Sequence, residues 1–297
     1  MTELLQYEFM RRALLAAVLV GFLTPIVGTF LVQRRLALLG DGIGHVALTG
    51  VALGLMTGAS PVLTAAVVAT LGAILMEVVR VRTRASGEVA LALLFYGGIA
   101  GGVLLIGLTP GASNATLTAY LFGSVSTVEE QDIWVVAVLA AAVVVVVGLF
   151  GRQLFVLCQD EDVARAHGLP VRFLSILLAV TAALTVVIAM RVVGLLMVSA
   201  LMIVPVAAAQ QLTRSFRVTM GLAVAIGLGS SVSGLSAAFY SELAPGATIV
   251  LIALAVFCVA VTVGGLIRRR GRRGPGGPRR PEGPFKADTM PQTARGG

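Results

Sequence analysis

Charge is scarce in this 297-residue chain: Asp, Glu, Lys and Arg make up 12% of it, against about 25% in a soluble globular domain. Lysine is nearly missing, with Lys286 close to the C-terminus as the sole example. No GxxxxGK[ST] loop exists, so the chain is not itself a P-loop ATPase. Cys158 and Cys258 stand far apart without CxxC spacing; neither a disulfide nor a zinc motif is suggested, and both read as small buried hydrophobes. Histidine occurs only at His45 and His167, and no HExxH is present. No histidine follows His167, which leaves Ser233 without the downstream partner of an intramembrane serine protease. Nothing here assembles a nucleophile, a base and an oxyanion donor set, so no catalytic residue is assigned and the chain is not read as an enzyme.

What the sequence has in abundance is apolar length. Hydrophobic residues form 58% of it and the mean hydropathy is +0.98. Runs long enough to cross a bilayer recur from the N-terminus to Ile267, and they are continuously apolar rather than alternating. That pattern predicts an all-α polytopic membrane protein and disfavours a β-barrel. Candidate spans lie near 10–32, 40–58, 62–80, 89–107, 132–151, 172–190, 192–212, 218–240 and 247–267. Nine crossings put the C-terminus and the connections after the first, third, fifth and seventh spans on one side. Every Lys and Arg except Arg11, Arg12 and Arg191 then falls on that side, which the positive-inside rule makes cytoplasmic. Arg11 and Arg12 keep an eight-span alternative open. Met1–Arg12 is too acidic, and the next span too long, for a cleavable signal peptide. Residues 1–267 form the predicted transmembrane domain. Residues 268–297, rich in Gly, Pro and Arg, read as a disordered cytoplasmic tail that can touch anionic lipid rather than nucleic acid.

Two ionisable residues interrupt the second span. Asp41 and His45 stand at i and i+4, on one face of a helix, and each costs roughly 2.5–3.5 kcal/mol near a bilayer centre unless it faces a partner, a cavity or a substrate. A carboxylate and an imidazole on one face make half a divalent-metal site. Thr49 extends the polar stripe, and glycines at 40, 44, 50, 54 and 58 run beside it, so the stripe is expected to face a helical bundle. Counted as helix from Arg34 and Arg35, His45 lies at most about 15 Å deep.

Three further segments stand out. Residues 113–124 predict a short re-entrant or interfacial helix, followed by Glu129, Glu130 and Asp132, whose charge either concentrates cations or simply complements the start of the next helix. Asp160–Pro170 carries a compact cytoplasmic helix signal: Asp160 or Asp162 as cap, acidic first turn, Arg165 and His167 last, Gly168 as stop and Pro170 beyond. Gly194–Pro205 places a proline inside a span, where it kinks the helix, either as a gate or only to shape the bundle. Arg191 is placed at the outer mouth, to snorkel or pair with an acidic loop.

The stretches Gly28–Gly50, Tyr120–Ser124, Asp160–Gly168 and Val193–Pro205, in that order, resemble the membrane permeases of the manganese, zinc and iron ABC importers. The resemblance covers about residues 10–267. It implies eight to nine transmembrane helices plus a short cytoplasmic coupling helix, in the plasma membrane. It also implies a homodimeric permease, a separate ATP-binding cassette ATPase and an extracellular metal-binding protein. Asp41 and His45 match the family's intramembrane metal-contacting pair. Asp160, Glu161, Asp162, Ala164 and Gly168 fall in the stretch that docks into the ATPase, and Gly194 and Pro205 in the kink or gate. No permanently bound cofactor is implied; the metal ion is cargo. Gly42 and Gly44 depart from the family pattern, and glycine at each loosens a helix by roughly 0.5–1 kcal/mol relative to alanine. Competing readings are a permease for a metal chelate or cobalamin-like ligand, an ATP-independent transporter with Asp41 and His45 as proton relay, and a membrane anchor. The polar stripe argues against the first and last.

Overall fold

The computed structural model describes residues 8–82, 87–109, 114–123, 130–190, 193–241 and 243–272, and every regular element among them is helical. In chain order these are α1 (Glu8–Gln33), α2 (Leu39–Thr57), α3 (Pro61–Arg82), α4 (Gly87–Leu108), α5 (Asn114–Phe122), α6 (Glu130–Gln159), α7 (Glu161–Ala166), α8 (Val171–Met190), α9 (Leu195–Leu212), α10 (Phe216–Ser241) and α11 (Pro245–Arg272). Eight are long and apolar enough to cross a membrane, and α9 adds a shorter apolar stretch, Met197–Leu212. The nine predicted spans therefore all appear as helices, and α5 and α7 occupy the two predicted short-helix segments.

Contacts at the helix ends fix the up-down order. On one side, Phe155 at the end of α6 and Phe30 at the end of α1 both pack on Phe216 at the start of α10, with ring centroids 4.6 and 5.5 Å apart. Arg34 reaches α7 on the same side. Gly264 of α11 lies against Gln211, the end of α9, on that side too. On the opposite side, Gly194 and Gly246 close on Phe122, the end of α5. Consecutive long helices thus run antiparallel, and α1 begins on the side opposite the end of α11.

The core sits around α8, which is enclosed along most of its length from Leu174 to Met190. Outer helices present large apolar side chains instead: Leu93, Leu104 and Leu108 on α4, Leu149 on α6, Leu251 and Leu266 on α11. In water such faces would be costly; against acyl chains they cost nothing. Proline inside α1 is accommodated locally. Thr29 Oγ1 donates to the Pro25 carbonyl at 2.7 Å, and Gly227 of α10 seats against the proline ring.

Two expectations need correction. The span predicted to end at residue 151 continues to Gln159, because Leu154, Leu157 and Cys158 keep a helical spacing on the core while Arg152 points outward. Cys158 is buried, but Cys258 is exposed on the outer face of α11 and is a lipid-side residue rather than part of the packed core. Glu129, Arg191 and most of the basic tail lie outside the described residues; α11 itself continues to Arg272.

Candidate functional site

A tight turn delivers the chain to α2. The end of α1 closes with Arg35 N–H on the Val32 carbonyl at 3.1 Å and Leu36 N–H on the Leu31 carbonyl at 2.9 Å. This is a Schellman arrangement in which Arg35, at φ 61°, holds the left-handed position that glycine usually fills. Helix α2 starts at Leu39, with Asp41 in its first turn, where a carboxylate complements the helix dipole. His45 follows one turn later. It lies six residues into α2, or about 9 Å from the start. The turn thus removes several ångströms from the 15 Å upper bound.

His45 is 8% exposed and Asp41 half-buried. The imidazole meets the Phe95 ring of α4 edge-on, with centroids 4.7 Å apart and planes at 78°. Helix α4 touches the α2 backbone here: a Cβ on Gly98 would sit 2.7 Å from the His45 carbonyl carbon and the Val46 nitrogen. Thr49 Oγ1 donates to the Gly98 carbonyl at 3.0 Å. His45 and Thr49 of the polar stripe consequently face α4, itself an outer helix. Nearby, a Cβ at Gly44 would lie 3.3 Å from Leu195 Cδ1 of α9 and one at Gly42 would lie 3.1 Å from Leu91 Cδ1 of α4. The two unusual glycines therefore serve close packing of α4 and α9 on α2. Sequence reasoning missed Phe95 and Gly98; the Gly97-Gly98 pair, which permits a close backbone approach, was the available signal.

Chemically, Asp41 and His45 offer one carboxylate and one imidazole to a divalent cation. Among the described residues, no group of three His, Cys, Asp or Glu side chains gathers around one point.

Helix α7 lies on the Arg34 side. Asp160 Oδ1 accepts from the N–H groups of Asp162 at 2.8 Å and Val163 at 3.2 Å, a full N-terminal cap. His167 Nδ1 lies 2.8 Å from the Val163 carbonyl. Gly168, at φ 73°, lets Leu169 N–H reach the Ala164 carbonyl at 3.1 Å. Ala164 is fully buried while Glu161, Asp162 and Arg165 are solvent-accessible. Beside α7 opens a groove of about 700 Å³ whose lining includes Glu77, Arg80, Glu161, Arg165 and Arg172. Glu77 is buried and takes Arg80 bidentately, at 2.6 and 3.0 Å.

Gly194 and Pro205 do not join either cluster. Gly194, at φ 83°, precedes α9 and lies so close to Phe122 and Gly123 that a Cβ would overlap their backbone. It lies in the connection between α8 and α9, one residue before α9 begins. Pro205 is buried inside α9.

A family model described as the ABC 3 transport family matches residues 6–264. The chain belongs to that family. It is 34% identical over 258 residues to the manganese transport system membrane protein MntC of Halalkalibacterium halodurans, covering 87% of this chain and 88% of MntC. It is 30% identical over 254 residues to the manganese import system permease protein ScaB of Streptococcus gordonii, covering 86% of this chain and 91% of that one. Among solved structures, PsaBC from Streptococcus pneumoniae in complex with Fab superposes with a TM-score of 0.78 at 32% identity, over 86% of this chain and 92% of the other. This family member is accordingly a multi-pass membrane permease subunit of the ABC type, and the family match stops short of the basic tail.

Proposed function

We propose that the chain is the membrane-spanning subunit of an ATP-driven importer that moves a divalent transition metal ion into the cytoplasm. Manganese is the first candidate, with zinc and iron as the alternatives. The observation that carries the reading is the pair Asp41 and His45, one helical turn apart on α2, with the imidazole buried against Phe95. An ionisable pair in such a place needs a compensating partner, and a passing cation is one. The names of MntC and ScaB favour manganese.

Two copies of the permease would bring two carboxylates and two imidazoles to one ion, a suitable donor set for manganese or zinc. Delivery comes from an extracellular metal-binding protein. Helix α7 docks into the separate ATPase, whose closure reverses access at the site, and Gly194 and Pro205 let α9 adjust during that reversal. The Arg34 side, which carries α7 and the end of α11, is cytoplasmic. Weak binding is a requirement here, because a tight site would not release its ion.

Docking is tested by scrambling residues 160–167 in the full chain. Loss of ATPase co-purification supports the reading, and retained binding with normal ATPase stimulation contradicts it. The metal assignment is tested by transport in Asp41 and His45 variants that still assemble.

A further inference from the structure

Arg34 marks a helix end in the sequence, but in the fold its guanidinium is only 7% exposed and holds three elements at once. It belongs to the C-terminus of α1. Its Nη1 donates to Ser175 Oγ of α8 at 3.1 Å. Its Nη2 pairs with Glu161 Oε2 of α7 at 3.3 Å. The second oxygen of Glu161 pairs with Arg165, which is 65% exposed and within α7 itself. A solvated pair of that kind contributes little. The Arg34 pair differs, because a buried guanidinium deprived of its carboxylate is left as an uncompensated charge.

From Arg34 the backbone leads to the metal-contacting pair without a slack segment. Arg34 N–H bonds the Phe30 carbonyl at 3.1 Å, Leu39 N–H bonds Leu36 at 3.0 Å, and Gly42 N–H bonds Leu38 at 3.2 Å. Asp41 lies within this bonded run. A second route passes through α8, whose Val186 packs beside Gly44.

We propose that Arg34 is the tie through which movement of α7 reaches Asp41 and His45, a positioning residue for transport that does not itself hold the ion. The inference rests on the reading of α7 as the ATPase-docking helix. When the ATPase shifts α7, Glu161 draws Arg34 with it, and the rigid turn passes the displacement to the first turn of α2. Without the tie, ATP hydrolysis continues but no longer reshapes the site.

The test uses the complete importer in proteoliposomes, radiolabelled manganese(II) as the probe, and ions moved per ATP hydrolysed as the readout. Arg34→Gln keeps a donor for Ser175 and removes the charge facing Glu161. The ATPase should co-purify as with the unmodified chain and hydrolysis should persist, while ions moved per ATP fall by about tenfold or more. Arg34→Lys, which keeps a charge facing Glu161, should hold the ratio well above that of Arg34→Gln. An unchanged ratio in Arg34→Gln, loss of co-purification in Arg34→Gln, or a ratio in Arg34→Lys no better than in Arg34→Gln would each overturn the proposal. If Arg34→Gln does not fold, Glu161→Gln, which leaves the same pair without its ionic attraction, is read by the same ratio in complexes that retain the ATPase. The docking reading is judged separately: an ATPase retained after residues 160–167 are scrambled refutes docking, whereas an unchanged ratio in Arg34→Gln refutes only the tie.

Discussion

An imidazole on an apolar helix can hold a metal only through a lone pair, so if His45 holds the ion as proposed, protons compete with it. The ordinary histidine pKa is about 6.5, and the neutral form is the ligand. At limiting manganese, uptake should therefore fall as external pH is lowered and protons outcompete the ion for the imidazole. A profile of initial uptake rates against external pH checks this; a rate that rises as the pH falls would speak against a histidine ligand. Gly98 has a different expectation. Its hydrogen faces the His45 backbone at a distance no side chain tolerates, so Gly98→Ala must push α4 outward. Overpacking of that kind costs about 1–3 kcal/mol. Thermal unfolding of the purified protein in detergent should show a lowered midpoint, and an unshifted midpoint would mean that α4 is not seated as described.

Helices rather than residues carry the second scale. Asp160→Ala removes the acceptor for two backbone N–H groups of α7 and should cost about 1 kcal/mol of local helix stability. Hydrogen exchange over residues 161–166 should accelerate by about fivefold for that cost. Exchange as slow as in the unmodified chain would show that packing of Ala164, not the cap, holds α7. This helix was legible in the sequence because its signals are local: cap, acidic first turn, glycine stop. The long helices were legible for a similar reason, since apolar length alone decides them. The continuation of α6 past Arg152 was not, because a run of hydrophobics ends there although the helical spacing of Leu154, Leu157 and Cys158 does not. Asp41 and His45 were readable as a pair from their i, i+4 spacing. What they face was not, since Phe95 and Gly98 lie on another helix and no local pattern connects them. Arg34 shows the same limit: its position marks a boundary, but its partners Glu161 and Ser175 are distant in the chain.

At the scale of the whole molecule, the long helices among the described residues alternate in direction, with the α2–α3 and α9–α10 connections on opposite faces. Labelling can read that directly. With Cys258 first replaced by alanine, a cysteine at Ala59 should react with an impermeant maleimide on intact cells, and one at Ser215 only after permeabilisation. The reverse pattern would invert the orientation, and equal reactivity would break the alternation. If Asp41 and His45 hold the ion as proposed, a second copy must complete its ligands, so the intact importer should contain two permeases when weighed by native mass spectrometry; a single copy would contradict that proposal. The central claim, that Asp41 and His45 contact the transported ion, is tested most directly by manganese uptake in Asp41→Asn and His45→Ala variants shown to assemble with the ATPase. Each is expected to lose uptake by about 10–100-fold or more, while transport at the unmodified rate in both would contradict the account.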